Sequence, residues 1–223
     1  MVEDLTIAFD RMPALYIADG HHRSAAAARV AADRQAANPG HTGEEAYNFF
    51  LSVVFPHHQM RILGYNRVVK DIKAMSALEF LARVGRQFGV QKDDGPVNPL
   101  HHGEFGLYTR GQWYRLQIKP EFTKSSDLVK RLDVSLLSDH LLRPVLGIED
   151  LRTDKRIDFV GGVRGLQELE ARVDRGEMAA AFSLHATSME ELMAVTDVGQ
   201  IMPPKSTWFE PKLADGLVSH VLD

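Results

Sequence analysis

One junction near the start of the 223-residue chain constrains the fold most. The apolar run Ala14-Leu15-Tyr16-Ile17-Ala18 halts at Asp19-Gly20, and His21-His22-Arg23 then opens an alanine-rich segment. A short apolar run stopped by Asp-Gly reads as a buried strand entering a tight turn. From His22 to about Ala37 the alanines and arginines favour helix, and Asn38-Pro39-Gly40 ends it. Strand, turn and helix in immediate succession argue against an all-helical or an all-sheet fold.

The remaining pattern extends this reading. Residues 48–55 (Asn-Phe-Phe-Leu-Ser-Val-Val-Phe) read as a buried strand closed by Pro56, and 61–69 as another. Residues 76–88 carry Leu78, Leu81, Ala82, Val84 and Phe88 at helical spacing, and 92–103 read as a loop. Residues 105–109 and 113–118 flank Arg110-Gly111 as a hairpin. A long helix is expected over 128–146, with Pro144 near its end. Then come a strand at 157–160, a helix at 163–175, a strand at 179–184 and a helix at 189–196. Ser188 and Glu191 stand there at capping-box spacing. Residues 202–207 read as an irregular loop and 217–222 as a last strand. The expectation is a mixed α/β (α+β) fold, a mixed sheet flanked by helices, in a single domain spanning residues 1–223.

Composition narrows the chemistry. There is no cysteine, which removes disulfides, thiolate nucleophiles and cysteine-ligated metals. A net charge of -4 argues against a globally basic nucleic-acid binder. No apolar run reaches the roughly 18 residues of a membrane span, and the acidic start Met1-Val2-Glu3-Asp4 is no signal peptide. A cytoplasmic setting without a membrane partner is the expectation.

The Asp19–Arg23 segment is the leading candidate site. A helix N-terminus offers free N–H groups and the positive end of the helix dipole to an anion. Gly20 allows close backbone approach, and His21, His22 and Arg23 add donors. Asp19 is placed to hold a metal on the phosphates, bind a substrate amine or hydroxyl, or act as a base. The plainer reading is a capping aspartate beside two solvated histidines. A second candidate is Pro203-Pro204-Lys205-Ser206-Thr207, where Lys205 and Ser206 suit an anion. The glycines of a P-loop are missing there, so that motif is rejected. His57-His58 and His101-His102 read as solvated loop histidines, because adjacent residues do not converge on one ion. His140 reads as a buried or half-buried helix histidine, Arg61 and Arg67 as surface arginines with phosphate contact as the alternative, and Trp113 and Trp208 as packing residues, with stacking on a base as the alternative for Trp208 beside the Lys205 loop.

Tyr16 to Arg23 followed by the alanine-rich helix resembles the signature of the ParB/sulfiredoxin superfamily. Together with residues 61–69, 202–213 and Gly216-Leu217-Val218, it resembles more closely the DUF1015 family, often labelled ParB-like. The resemblance implies a phosphate-gripping strand–turn–helix core. Sulfiredoxin chemistry needs a cysteine where His21 stands and is excluded. The free-serine kinases of the superfamily carry Asp-Gly-His-Thr-Arg, which Asp19–Arg23 matches with His22 in place of threonine. The resemblance therefore implies a small-molecule phosphotransferase using Mg²⁺ and ATP or ADP. Gly20, His21, His22 and Arg23 would hold phosphates, joined by Lys205 and Ser206, with Asp19 at the substrate or metal. In those kinases a catalytic glutamate precedes the motif. Here 18 residues precede Asp19, so the resemblance leaves the base unassigned and implies the C-terminal part of a longer protein. The competing expectation is a non-catalytic or nucleotide-gated, ParB-like binding module.

Overall fold

The computed structural model describes residues 1–214 and 216–222. The chain divides into two units, Met1–Met60 with Pro211–Asp223, and Arg61–Glu210.

The first unit holds two helices, α1 (Val2–Asp10) and α2 (His21–Ala37), and short 3-10 turns at Ala46–Asn48 and His57–Gln59. None of its described residues is buried. Polar contacts organise it instead. Glu45 accepts from the Thr42 and Gly43 N–H groups at 2.7 and 3.0 Å and from Asn48 Nδ2 at 3.0 Å, closing the loop after α2. Those hydrogen bonds, Thr42 first, hold its carboxyl down at about 2. Tyr47 gathers Asn38 Nδ2 and His41 Nδ1 on its hydroxyl.

Three expected strands are absent from this unit. Residues 14–18 are irregular, with Leu15 and Ile17 61% and 48% exposed. Residues 49–55 follow the 3-10 turn without entering a ladder, and Phe49, Phe50, Leu51, Val53 and Val54 are exposed. An apolar run becomes a strand only when a neighbouring strand takes up its N–H and C=O groups, and neither run enters a ladder among the described residues. Residues 217–222 form no strand either.

The second unit is built on a sheet. Its strands are β1 (Arg61–Leu63), β2 (Tyr65–Val69), β3 (Phe88–Asp93), β4 (Glu104–Thr109), β5 (Gln112–Ile118), β6 (Ile157–Gly161), β7 (Ala180–Leu184) and β8 (Trp208–Glu210). β1 pairs with β8, and the other six run in the order β3-β5-β4-β7-β2-β6. Every pairing is antiparallel. The β4–β5 hairpin turns at Arg110-Gly111, with φ of 51° and 76°, the left-handed pair that a two-residue hairpin needs.

Side chains alternate across this sheet. Val69, Phe105, Leu107, Ala180, Phe182 and Leu184 enter one core, packed with α3 (Ala77–Val84) and the helices of residues 128–146. Val68, Tyr108 and Ala181 enter the other, with Leu169 and Val173 of α7 (Gln167–Asp174). The α/β class with a helix-flanked sheet is what the sequence indicated.

The expected long helix is broken. It comprises α4 (Leu128–Arg131), α5 (Asp133–Leu137), a π-helical turn at Ser138–Leu142 and α6 (Arg143–Leu146). Leu132 takes an extended ψ of 140° between the first two, and Asp127 caps α4 by accepting from Val129 and Lys130 N–H. β3 continues to Asp93, into the expected loop, because its polar residues lie on an edge strand. The last helix, α8 (Met189–Asp197), opens with the capping box expected at Ser188 and Glu191.

Candidate functional site

The Asp19–Arg23 turn lies wholly in the first unit. Gly20 is the N-cap of the 17-residue α2 and takes φ 88°, a left-handed conformation that glycine adopts without strain. No described side chain caps α2, and no acidic residue stands in its first turn. The leading N–H groups, carrying the positive end of the dipole, thus open towards the turn. Arg23 folds back over it: a Cβ on Gly20 would lie 3.3 Å from Arg23 Nη2. His21, His22 and Arg23 are all exposed.

Asp19 is held from two sides. Its Oδ1 accepts from Gly20 N–H at 2.7 Å, and its Oδ2 accepts from Lys212 Nζ at 2.9 Å. The Lys212 hydrogen bond pulls the Asp19 pKa below its ordinary value, helped by the Gly20 N–H and by the charges of Lys212 and Arg23. Asp19 is therefore an ionised carboxylate between two cations. Lys212 is a residue that sequence reading missed at this site. Its nearest sequence signal was its position in the 202–213 segment.

Lys205 and Ser206 belong to the second unit. Lys205 is exposed, with its backbone in the left-handed region at φ 58°. Ser206 is buried, and its hydroxyl donates to the Pro203 carbonyl at 2.6 Å.

Other polar residues fall differently from their sequence reading. Arg67, read as a surface arginine, is fully buried. His102, read as a solvated loop residue, hydrogen-bonds the buried Asp133, Nδ1 to Oδ1 at 2.9 Å, with Glu191 3.9 Å away. Asp133 raises the His102 pKa, while burial opposes it. Asp133 Oδ1 also accepts from Gly103 N–H at 2.8 Å. No spacing rule links His102 to Asp133, which is why the pair was not foreseen. His140 is half-buried as expected, its ring 4.7 Å from that of Phe122, and burial lowers its pKa. Trp113 is buried, donating Nε1–H to Glu170 at 2.8 Å.

Among the described residues, no group of three or more His, Cys, Asp or Glu is arranged to hold a metal ion. None of the described helices is long and apolar enough to cross a membrane.

Residues 1–135 match the model of a family described as "Protein of unknown function (DUF1015)", so the match includes the Asp19–Arg23 turn. The 202–218 segment lies beyond it. No curated protein matches the chain. Several solved structures are similar over 67% of this chain, three of which follow. One is a free serine kinase mutant in complex with AMP, at 16% identity, TM-score 0.42 and 54% coverage of that chain. Another is a conserved hypothetical protein from Pyrococcus furiosus, at 18% identity, TM-score 0.41 and 56% coverage. The third is a free serine kinase mutant in complex with ADP, at 20% identity, TM-score 0.38 and 54% coverage. The chain thus spans about half the length of the solved structures it matches.

Proposed function

This chain belongs to the DUF1015 family, and from that premise we propose that it binds nucleotide phosphates at the Gly20–Arg23 turn. On this reading it is a small-molecule phosphotransferase of the serine-kinase kind, or the phosphate-binding part of one. The observation that carries it is the uncapped, left-handed start of α2 with Arg23 folded over Gly20. The free N–H groups of a helix N-terminus suit phosphate oxygens. Arg23 adds a fork that bonds two oxygens at once, and His21 and His22 add donors. This is the role implied by resemblance to the ParB/sulfiredoxin superfamily. Nucleotides are also the ligands named for the similar kinase structures, but the turn, not that likeness, carries the proposal.

Asp19 is the carboxylate beside the phosphates. Its lowered pKa suits binding a cation better than accepting a proton. One carboxylate does not make a metal site, so Mg²⁺ would be held chiefly by the nucleotide phosphates, with Asp19 as a protein ligand. When bound, the ion would neutralise phosphate charge.

The pairing of Asp19 with Lys212 also favours a second reading, a nucleotide-binding module without turnover. The two share one test. ATP, ADP and CTP are each added with Mg²⁺ while thermal unfolding is followed in the parent chain and in Arg23→Ala. The proposal expects at least one nucleotide to raise Tm in the parent and none in the variant. No shift with any nucleotide removes its support. Phosphate release or transfer in the same samples separates the enzyme from the module.

A further inference from the structure

Costly features converge on Lys205. Its left-handed backbone is strained for a residue with a side chain. Its carbonyl accepts from Arg67 Nη2 at 2.9 Å, and Arg67 is fully buried. Arg67 Nη1 donates to the Tyr65 carbonyl, and Nε has no hydrogen-bond partner among the described residues. The guanidinium carbon lies 5.2 Å from the Phe159 ring centroid and 5.9 Å from that of Tyr65. Two carbonyls and two rings therefore stand where a buried guanidinium ordinarily meets a carboxylate. Burial lowers the Arg67 pKa to about 9, which leaves it a cation at neutral pH.

Lys205 Nζ lies 5.7 Å from the centroid of the same Tyr65 ring. Neither cation forms a salt bridge with a described carboxylate. Two positive charges thus flank one aromatic ring. The loop carrying the exposed one is pinned from within. Ser206 Oγ donates to Pro203 O at 2.6 Å, Thr187 Oγ1 donates to Ser206 O at 3.3 Å, and Pro203-Pro204 stiffens the backbone. A buried uncompensated charge, an orphaned N–H and a strained residue in one cluster mark a functional arrangement rather than a packing accident.

We propose that Lys205, positioned by Arg67 and the Tyr65 ring, binds an oxyanion of the phosphate-monoester type in the second unit. This site goes beyond the nucleotide reading and does not rest on it. Lys205 is the group that touches the anion, as a compact point charge. Arg67 is a positioning residue, which fixes the Lys205 carbonyl and adds positive potential from behind. Ser206 takes no donor part, because its hydroxyl is directed to Pro203.

The test titrates inorganic phosphate into the full chain at low ionic strength, followed by phosphorus NMR, in an Arg23→Ala background that silences the turn. Saturable binding is expected to persist there, to weaken roughly tenfold or more when Lys205→Ala is added, and to survive Lys205→Arg. Arg67→Met is expected to weaken binding and Arg67→Lys to restore it, a rescue that packing alone does not produce. If Arg67→Met fails to fold, the Lys205 variants decide. Unchanged binding in Lys205→Ala overturns the site, as does loss of all binding in Arg23→Ala alone. Failure of the nucleotide reading shows separately, as ADP binding that survives in the double variant Arg23→Ala, Lys205→Ala, where both sites are removed.

Discussion

The two units handle similar apolar residues in opposite ways. Residues 61–210 bury theirs on both faces of an antiparallel sheet, with Phe80, Phe105, Phe182 and Leu107 fully inaccessible. The first unit leaves Phe49, Phe50, Leu15 and Ile17 exposed and is joined by polar contacts around Glu45, Tyr47 and Asp19. The lesson concerns what burial requires. The 49–55 segment is as strand-like in composition as β7, yet only β7 has a partner on each side, β4 and β2. The proposed phosphate turn belongs to the unit without a core, and the Lys205 cluster to the unit with one.

The sharpest way to break this contrast is to cut the same side chain from both units. Phe182→Ala is expected to cost about 3–5 kcal/mol in chemical denaturation, through lost transfer energy and a cavity. Phe50→Ser is expected to stay within about 0.5 kcal/mol of the parent, as exposed positions do. A comparable loss in both would mean that Phe50 is buried in solution and that the contrast is false.

A smaller effect tests how tightly the second unit is packed. A Cβ on Gly106 would lie 2.2 Å from Ser183 Oγ and 2.8 Å from the Val97 carbonyl, the two atoms that hydrogen-bond each other at 2.6 Å. Gly106→Ala should therefore cost about 1–3 kcal/mol in the same assay. A neutral result would show that the sheet can yield there.

The smallest effect is electrostatic. The folded-state pKa of His102 is raised, chiefly by its hydrogen bond to Asp133. Its contribution to stability is fully present below the unfolded value near 6.5 and is lost as pH rises through the folded pKa. Because the ring is 42% exposed, solvent screening keeps that contribution below about 1 kcal/mol. His102→Gln should remove this component from the stability profile above pH 6.5. An identical profile in parent and variant would leave the pair without energetic weight.

Locally encoded features were the legible ones. The Arg110-Gly111 hairpin, the start of α2 near His22, and the Ser188/Glu191 capping box each rest on a few adjacent residues. What failed depends on distant neighbours. Residues 14–18 lack a pairing strand, Leu132 leaves the helical conformation within an unbroken apolar period, and the burial of Arg67 is set by Phe159, Tyr65 and the Lys205 loop. In the candidate site, the glycine turn was readable from Asp19-Gly20, whereas Lys212 reaches Asp19 from the far end of the chain.

The central claim is that phosphates sit on the amides at the start of α2. Backbone amide chemical shifts, followed as ADP and Mg²⁺ are added, test it most directly. The account predicts the largest saturable changes at Gly20, His21, His22 and Arg23. Saturating shifts that leave those four amides unmoved would contradict it.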